Sequence, residues 1–321
     1  MRARIARHRA SLSLVLAAAC WGLGTVVSKR AVGEVAPLTL LVVQLGASVV
    51  LLGAVSRLRR RSSPLPDVPP ALARLGLLNP GLAYALGLIG LTQISASLSV
   101  LLWAAEPVLI LALAAVVLRE RVGPGFVGLS AAAVAGMLLV VYEPGTTGSL
   151  PGIVISLAGV LCCAVYTVAT RRWLAGADGT FEVVVAQQAY ALLFALAALV
   201  LVQLVAPTAG LGDVTPVGWL SAVGSGILYY GLAYVLYLDG LRQTTASSAA
   251  ASFYLIPVFG VVGAMVGLGE RLGPLEWLGA GVIIGAVALL LRSRAGTTGS
   301  PLPVAEPPSA VREQVRGEQR P

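Results

Sequence analysis

The tetrapeptide Gly81-Leu82-Ala83-Tyr84 occurs a second time, unchanged, as Gly231-Leu232-Ala233-Tyr234. A shift of 150 residues aligns 81–124 with 231–274 without a gap, and 20 of these 44 positions are identical. Because many matches are common apolar residues, the informative pairs are those of rarer residue types. They are Tyr84 with Tyr234, Gln93 with Gln243, Ser97 with Ser247, Pro107 with Pro257, and Glu120-Arg121 with Glu270-Arg271. The chain therefore contains an internal duplication.

A weaker sequence similarity extends this duplication toward the start of the chain. At a spacing of 142 residues, the first apolar run resembles the sixth. The matched sets are Cys20, Thr25, Val26, Lys29 and Arg30 against Cys162, Thr167, Val168, Arg171 and Arg172. Each copy therefore begins with a related helix.

The composition predicts that the chain lies in a lipid bilayer. Of 321 residues, 57% are hydrophobic and 11% are charged, whereas soluble globular domains hold about 25% charged residues. We therefore exclude a soluble protein and predict an all-α integral membrane protein with ten transmembrane helices, each formed by an apolar run of about 20 residues. The runs are 11–28, 37–56, 71–91, 97–118, 123–142, 151–171, 181–205, 215–238, 247–268 and 274–291.

These runs divide the chain into two five-helix halves. We predict a cytoplasmic basic arm at 1–10, a first repeat at 11–142, a second repeat at 151–291 and a disordered cytoplasmic tail at 295–321. Because five is odd, the second half enters the membrane from the opposite side, so the two repeats are inverted. Inverted repeats are typical of transporters that work by alternating access.

The arginines predict the orientation. With the N-terminus in the cytoplasm, sixteen arginines near the membrane lie inside, and only Lys29, Arg30 and Arg271 lie outside. This satisfies the positive-inside rule, so we place both termini in the cytoplasm and the protein in the plasma membrane. Nine further apolar runs follow the first one, which we therefore interpret as an anchoring helix rather than a cleaved signal peptide.

Several motifs together resemble the EamA-like branch of the drug/metabolite transporter superfamily. They are Trp21-Gly22 with Lys29, the doubled Gly-Leu-Ala-Tyr, Ser-Ala-Ser at 95–97 with Ala-Ser-Ser at 246–248, and the Glu-Arg-Val/Leu-Gly-Pro endings. The resemblance covers residues 11–291. It implies an inner-membrane carrier of small metabolites or drugs, often an exporter, with a central cavity lined by helices 1, 3, 4, 6, 8 and 9. It implies no particular substrate.

Glu106 is an acid about ten residues into the fourth predicted helix, and its repeat counterpart is Ile256. A charged side chain at that depth costs about 2.5–3.5 kcal/mol on insertion scales, so it should face protein or a water-filled cavity. We interpret Glu106 as a protonatable or cation-binding site. The alternative is a carboxyl group that only ties its helix to a neighbour. Pro107 and Pro257 are interpreted as hinge or cavity residues, against the alternative of fixed packing kinks.

Aromatic and amide side chains near mid-membrane are the other candidates for substrate binding. With Glu106, the predicted site comprises Trp21, Asn79, Tyr84, Trp103, Tyr166, Tyr230, Tyr234 and Tyr254. Such residues can form an amphipathic pocket, or they can serve structure through hydroxyl groups that bond neighbouring helices. Four aromatic residues near helix ends are predicted to be anchors at the membrane surface. These are Trp173, Trp219, Tyr237 and Trp277.

The sequence offers no signature of a metal, a cofactor or ATP hydrolysis. His8 is the only histidine, the three cysteines lack a CxxC spacing, and no P-loop string occurs. The basic residues are spread between apolar runs, so we expect no nucleic-acid partner. The expected partners are a small-molecule substrate, membrane lipid and a second copy of the chain, the last through small-residue helix faces such as Gly281 with Gly285.

The predicted function is secondary transport of a small metabolite, amino acid or drug-like solute. We expect an exporter that works by alternating access and is coupled to protons or ions through Glu106. Two weaker alternatives are a structural or regulatory membrane protein without transport and an integral-membrane enzyme. The inverted repeat separates these classes, because neither alternative needs alternating access.

The predicted orientation can be tested with single cysteines and an impermeant thiol reagent. Cysteines placed at Gly145 or Asp213 should react from the periplasmic side, whereas cysteines placed at Arg61 or Gly176 should not. Reaction of Arg61→Cys from the periplasmic side would reverse the orientation.

Overall fold

Helices make up all of the regular structure in the described part of the computed structural model. The described residues are 2–59, 68–91, 93, 102–103, 105–120, 122–141, 149–174, 179–205, 214–268 and 274–293. The predicted tail at 295–321 lies outside them. The α-helices are α1 (Arg2–Val32), α2 (Pro37–Arg59), α3 (Pro70–Gly76), α4 (Ala83–Leu91), α5 (Glu106–Val117), α6 (Pro124–Val141), α7 (Leu150–Leu174), α8 (Thr180–Val205), α9 (Pro216–Ser225), α10 (Ala233–Gln243), α11 (Ala246–Ala251), α12 (Ile256–Leu268) and α13 (Pro274–Ser293).

Three short turns of other helical types join some of these helices without a gap. π turn 1 (Leu77–Leu82) joins α3 to α4, and π turn 2 (Gly226–Leu232) joins α9 to α10. A 3-10 turn (Ser252–Leu255) joins α11 to α12. Each π turn contains the first two residues of a Gly-Leu-Ala-Tyr copy, so the same irregularity occurs at corresponding positions of the two copies. Within π turn 1, Asn79 leaves the helical conformation, with φ −147° and ψ 124°.

The helices have the length and composition of membrane-spanning segments. Five stretches are long and apolar enough to cross a bilayer, and shorter apolar helices accompany them. The five are Arg9–Ser28, Pro37–Leu58, Leu150–Leu174, Thr180–Val205 and Pro216–Gln243. This agrees with a multi-pass membrane protein, while the full set of ten crossings remains a prediction.

Large apolar side chains point outward from several helices. Val205 is 78% exposed and Val116 is also 78% exposed, and both belong to apolar helices. In water such surfaces would mark an interaction site. In a bilayer they contact lipid tails, and the backbone polar groups of each helix are satisfied within the helix.

Two helix starts differ from the sequence-based expectation. α5 begins at Glu106 and α12 begins at Ile256, so Pro107 and Pro257 are the second residues of their helices. Pro107 therefore lies in the first turn of its helix, where a proline removes no hydrogen bond, because the N–H groups there have no partner within the helix. Pro257 follows the 3-10 turn directly, so it lies within an unbroken helical run from Ala246 to Leu268. α1 also begins earlier than predicted, at Arg2, so the basic arm continues into the first helix.

Glycine allows helix backbones to touch at two corresponding positions. A Cβ atom on Gly76 would overlap the backbone carbonyl of Gln187 in α8. A Cβ atom on Gly226 would overlap the backbone of Gln44 in α2 in the same way. Gly76 and Gly226 are 150 residues apart, the spacing of the sequence repeat. Both helix contacts therefore require a residue without a side chain.

Replacing either glycine should destabilise the protein. Gly76→Ala and Gly226→Ala place a methyl group on a neighbouring backbone, so we expect a loss of about 1–3 kcal/mol in the free energy of unfolding. Gly281→Ala in α13 is the matched control, because a Cβ atom there meets nothing within 4 Å. Alanine should stabilise that helix by about 0.5–1 kcal/mol. Thermal unfolding in detergent measures both effects, and equal midpoints for all three variants would contradict the contacts.

Candidate functional site

Aromatic rings form a continuous cluster inside the helix bundle. We call these nine rings, all within the described ranges, the aromatic cluster. They come from α1, α4, the short helical segment before α5, α7, π turn 2, α10 and the 3-10 turn. The members are Trp21, Tyr84, Trp103, Tyr166, Tyr229, Tyr230, Tyr234, Tyr237 and Phe253.

One end of the aromatic cluster is partly exposed. Tyr84 stacks on Trp103 with ring centroids 5.6 Å apart, and it meets the edge of Tyr229 at 5.9 Å. The hydroxyl groups of Tyr84 and Tyr229 share a hydrogen bond of 3.1 Å. All three side chains are partly exposed. They contact one another across three helical segments, so this end of the cluster brings together residues that are far apart in the sequence.

A glycine makes room for the Trp103 indole. A Cβ atom on Gly87 would lie 2.8 Å from the indole ring of Trp103. The corresponding position in the second repeat is Tyr237. The first repeat therefore leaves a space on α4 that the second repeat fills with a phenol ring on α10.

The other end of the aromatic cluster is buried and rigid. The Tyr166 hydroxyl donates to Oε1 of Gln187 at 2.8 Å, and the Tyr234 hydroxyl donates to Oδ1 of Asn79 at 3.2 Å. Asn79 is the residue that interrupts π turn 1. Buried tyrosines whose hydroxyl groups are bonded in this way hold their rings in one orientation. They form a fixed wall behind the accessible end.

Trp21, in α1, packs against the buried end of the aromatic cluster. Its ring meets the edges of Tyr234 and Phe253 at centroid distances of 5.5 and 5.4 Å. The indole Nε1 is buried and has no hydrogen-bond partner within the described residues. A buried donor without an acceptor is costly, so this N–H group is available to a polar atom that enters the site.

Glu106 lies at the accessible end, as the first residue of α5. Its side chain is partly exposed and makes no hydrogen bond or ion pair within the described residues. It is within electrostatic range of Cys163, Tyr229 and Tyr237, which belong to α7, π turn 2 and α10. The carboxylate is therefore a partly exposed acid close to three other helical segments, which makes it a candidate to bind a cation, a proton or a solute.

The structure separates one predicted site residue from the others. Tyr254 is 1% exposed and packs in a different buried cluster, with Ala18, Met137 and Ile283. The remaining aromatic candidates and Asn79 all belong to, or bond to, the aromatic cluster. Tyr254 is therefore placed by the structure in helix packing rather than beside Tyr84 and Trp103.

Three members of the aromatic cluster were missing from the predicted site. Tyr237 was expected to be a surface anchor, but that prediction is wrong, since this residue is 1% exposed and bonds Thr167. Tyr229 and Phe253 were also absent from it. The repeat offered a signal for Phe253, because this residue aligns with Trp103. The expected anchors Trp173 and Trp277 are indeed more than half exposed.

The described residues contain no group of three histidine, cysteine or acidic side chains that could hold a metal ion. What the described part of the site does offer is aromatic surface, one carboxylate and a few polar groups. Such a set can bind and orient a solute.

A family model for EamA-like transporters matches residues 8–142 and, separately, residues 150–292. The two matches together cover most of the chain. They confirm the resemblance that the doubled motifs indicated.

Individual proteins are similar as well. One from Streptantibioticus cattleyicolor, named "Probable terminal-alkyne amino-acid exporter", is 30% identical over 207 residues, which are 64% of this chain and 68% of that protein. One from Bacillus subtilis, named "Putative permease-like protein YdzE", is 30% identical over 69 residues, which are 22% of this chain and 88% of that protein. A solved crystal structure matches with a TM-score of 0.73 and 21% identity, covering 88% of this chain and 97% of the other. At that identity the likeness shows a shared fold alone.

Proposed function

We propose that this chain, which belongs to the EamA-like transporter family, carries a small amphipathic solute across the membrane by alternating access. The family identifies a multi-pass membrane transporter and not an enzyme. The observation that carries the finer proposal is the partly exposed end of the aromatic cluster, where Tyr84, Trp103 and Tyr229 contact one another near Glu106. We propose that these residues line the cavity that binds the solute. Transport must bring a solute to such an interior site.

Paired helix contacts support two inverted repeats of five transmembrane helices. Gly90 in α4 lies against Ser156 in α7, and Gly240 in α10 lies against Leu14 in α1. Gly90 and Gly240 are 150 residues apart, and Leu14 and Ser156 are 142 apart. These are the two spacings of the sequence repeat, so exchanging the halves maps one contact onto the other. Two halves with equivalent contacts can adopt two related packings, which is what alternating access needs.

Changes of helical geometry before α5 and α12 support bending at corresponding places. Both helices begin one residue before a proline, Pro107 or Pro257, and the second follows the 3-10 turn directly. Helices bend at prolines and at turns of another helical type, because the regular hydrogen-bond pattern is interrupted there. We propose these two starts as the hinges of the transport cycle.

The chemistry of the cavity favours a solute with an apolar body and a cationic group. Rings of Tyr84 and Trp103 offer flat apolar surface, and aromatic faces also attract cations. Glu106 supplies the negative charge, and it has no cationic partner within the described residues. The Streptantibioticus relative is named as an amino-acid exporter, and an amino acid carries an ammonium group. We propose export of such a solute across the plasma membrane, with both termini in the cytoplasm.

Removal of the ring pair should impair transport and leave the fold intact. We expect Tyr84→Ala and Trp103→Ala to lower kcat/KM by about tenfold, equivalent to ~1.4 kcal/mol, because each removes one partner of the stacked pair. Trp277→Ala is the matched control, since Trp277 is 55% exposed on α13. Uptake into inside-out vesicles measures the effect. Equal losses for Trp103→Ala and Trp277→Ala would place the binding site elsewhere.

The role of Glu106 can be tested with Glu106→Gln in proteoliposomes. If the carboxyl group exchanges a proton for solute, this variant should lose accumulation driven by a pH gradient but keep solute exchange, because an amide has a similar shape and cannot titrate. If the carboxylate instead pairs with a cationic solute, the apparent Kd for cations should rise by about tenfold or more, and neutral solutes should bind as before.

Unchanged rates, pH dependence and affinities in Glu106→Gln would contradict both roles and leave Glu106 a structural residue.

A further inference from the structure

Glu120, just beyond the end of α5, binds the start of α11 in the other half of the chain. Its carboxylate accepts hydrogen bonds from the backbone N–H groups of Ala246, at 2.8 Å, and Ser247, at 3.2 Å. It also accepts one from the Ser247 hydroxyl, at 2.6 Å. A carboxylate at the N-terminal end of a helix is favourable, because unpaired N–H groups meet a negative charge there. One side chain thus joins the two repeats.

The backbone turns sharply to bring Glu120 to this position. Arg119 has φ 53°, in the left-handed region, and the N–H group of Glu120 bonds back to the carbonyl of Ala114 at 3.1 Å. Glycine is the residue that most often takes this left-handed conformation just after the end of a helix. At the corresponding position the second repeat has Gly269. The first repeat therefore keeps an unfavourable backbone conformation at an arginine, and this conformation directs Glu120 toward α11.

A second contact strengthens the same region. Arg171, near the end of α7, donates from Nε to the backbone carbonyl of Thr244. It lies within electrostatic range of Glu120. The ends of α5 and α7 are therefore both bound to the short link between α10 and α11.

A carboxylate of similar chemistry lies at the opposite end of the bundle. Glu34 follows α1 and accepts hydrogen bonds from the backbone N–H and the hydroxyl group of Thr215, at 2.7 and 2.8 Å to its Oε2. Thr215 precedes the helix Pro216–Gln243, whose other end leads to Ala246. At 1.5 Å per residue, those 28 residues separate the two carboxylate contacts by about 40 Å.

We propose that Glu120 is a latch that closes the cavity at the end of the bundle where α5 meets α11. α5 is a single helix of 12 residues with Glu106 at its start and Glu120 three residues beyond its last residue. A tilt of α5 that opens this end must therefore break the contacts of Glu120, and a solute that binds at Glu106 acts on the same helix. The inference rests on the proposed alternating access.

The native Cys163 can report opening of this end. It is 2% exposed, so its thiol is shielded in this structure, and it lies near Glu106. The variant Cys20→Ser with Cys162→Ser leaves Cys163 as the one thiol, since the chain has three cysteines. The rate at which an impermeant methanethiosulfonate reagent modifies Cys163, applied to each face of sealed vesicles in turn, measures access from each end.

In this background Glu120→Gln should raise the rate of Cys163 modification from the Glu120 face by about tenfold, the factor expected when a hydrogen bond to a charged group is lost. Ser247→Ala removes one of the three hydrogen bonds, so it should raise the rate from the same face by less. Glu34→Gln is the matched control, because it weakens a similar contact about 40 Å away, and it should not raise the rate from that face.

Two results would overturn the latch. One is an unchanged rate in both Glu120→Gln and Ser247→Ala, with the detergent-purified proteins eluting as folded species. The other is an equal rise from the Glu120 face in Glu34→Gln, which would indicate general loosening. The labelling rate needs no transported solute, so the latch can fail while transport is found. Equally, loss of all transport would leave the labelling result valid.

Discussion

The close contact of helix backbones at Gly76 and Gly226 is the constraint on which the site depends. Each glycine lies at the start of a π turn, and each packs against the backbone of a buried glutamine, Gln187 or Gln44. π turn 2 and the two helices that follow the π turns carry five of the six tyrosines in the aromatic cluster. Inside a bilayer, water does not drive helices together, so tight packing of small residues becomes a main source of helix association. The aromatic cluster is thus positioned by contacts that contain no aromatic residue.

The two repeats share these backbone contacts and differ in the side chains that they contribute to the site. The first repeat contributes Trp103, Glu106 and the space beside Gly87, and its side chains are partly exposed. At the corresponding positions of Trp103 and Gly87 the second repeat contributes Phe253 and Tyr237, which are buried. The partly exposed end of the cluster therefore comes mainly from the first repeat, together with Tyr229, while the equivalents of Trp103 and Gly87 are packed in the interior. Equivalent helix contacts in the two repeats therefore support a site that is not symmetric and has one described carboxylate, Glu106.

Much of the site could be predicted from the sequence because the repeat marks it. Tyr84 and Tyr234 are paired by the doubled tetrapeptide, and both lie in the aromatic cluster. The errors come from irregular helical turns that periodicity does not reveal. Each residue added to a helical turn rotates the following side chains by about 100°, so the π turn before Tyr237 changes the face on which this residue lies. The 3-10 turn likewise directs Phe253 and Tyr254 into different clusters. Helix starts were missed for the same reason, since Glu106 and Pro107 lie in an unbroken apolar run of sequence.

The fit between Gly87 and the Trp103 indole couples two positions on different helical segments. Any residue with a Cβ atom at position 87 would meet the indole at 2.8 Å, so the ring would have to shift to admit a side chain there. The second repeat has Tyr237 and Phe253 at these two positions, a larger residue paired with a smaller ring. We therefore expect positions 87 and 103 to vary together among related transporters.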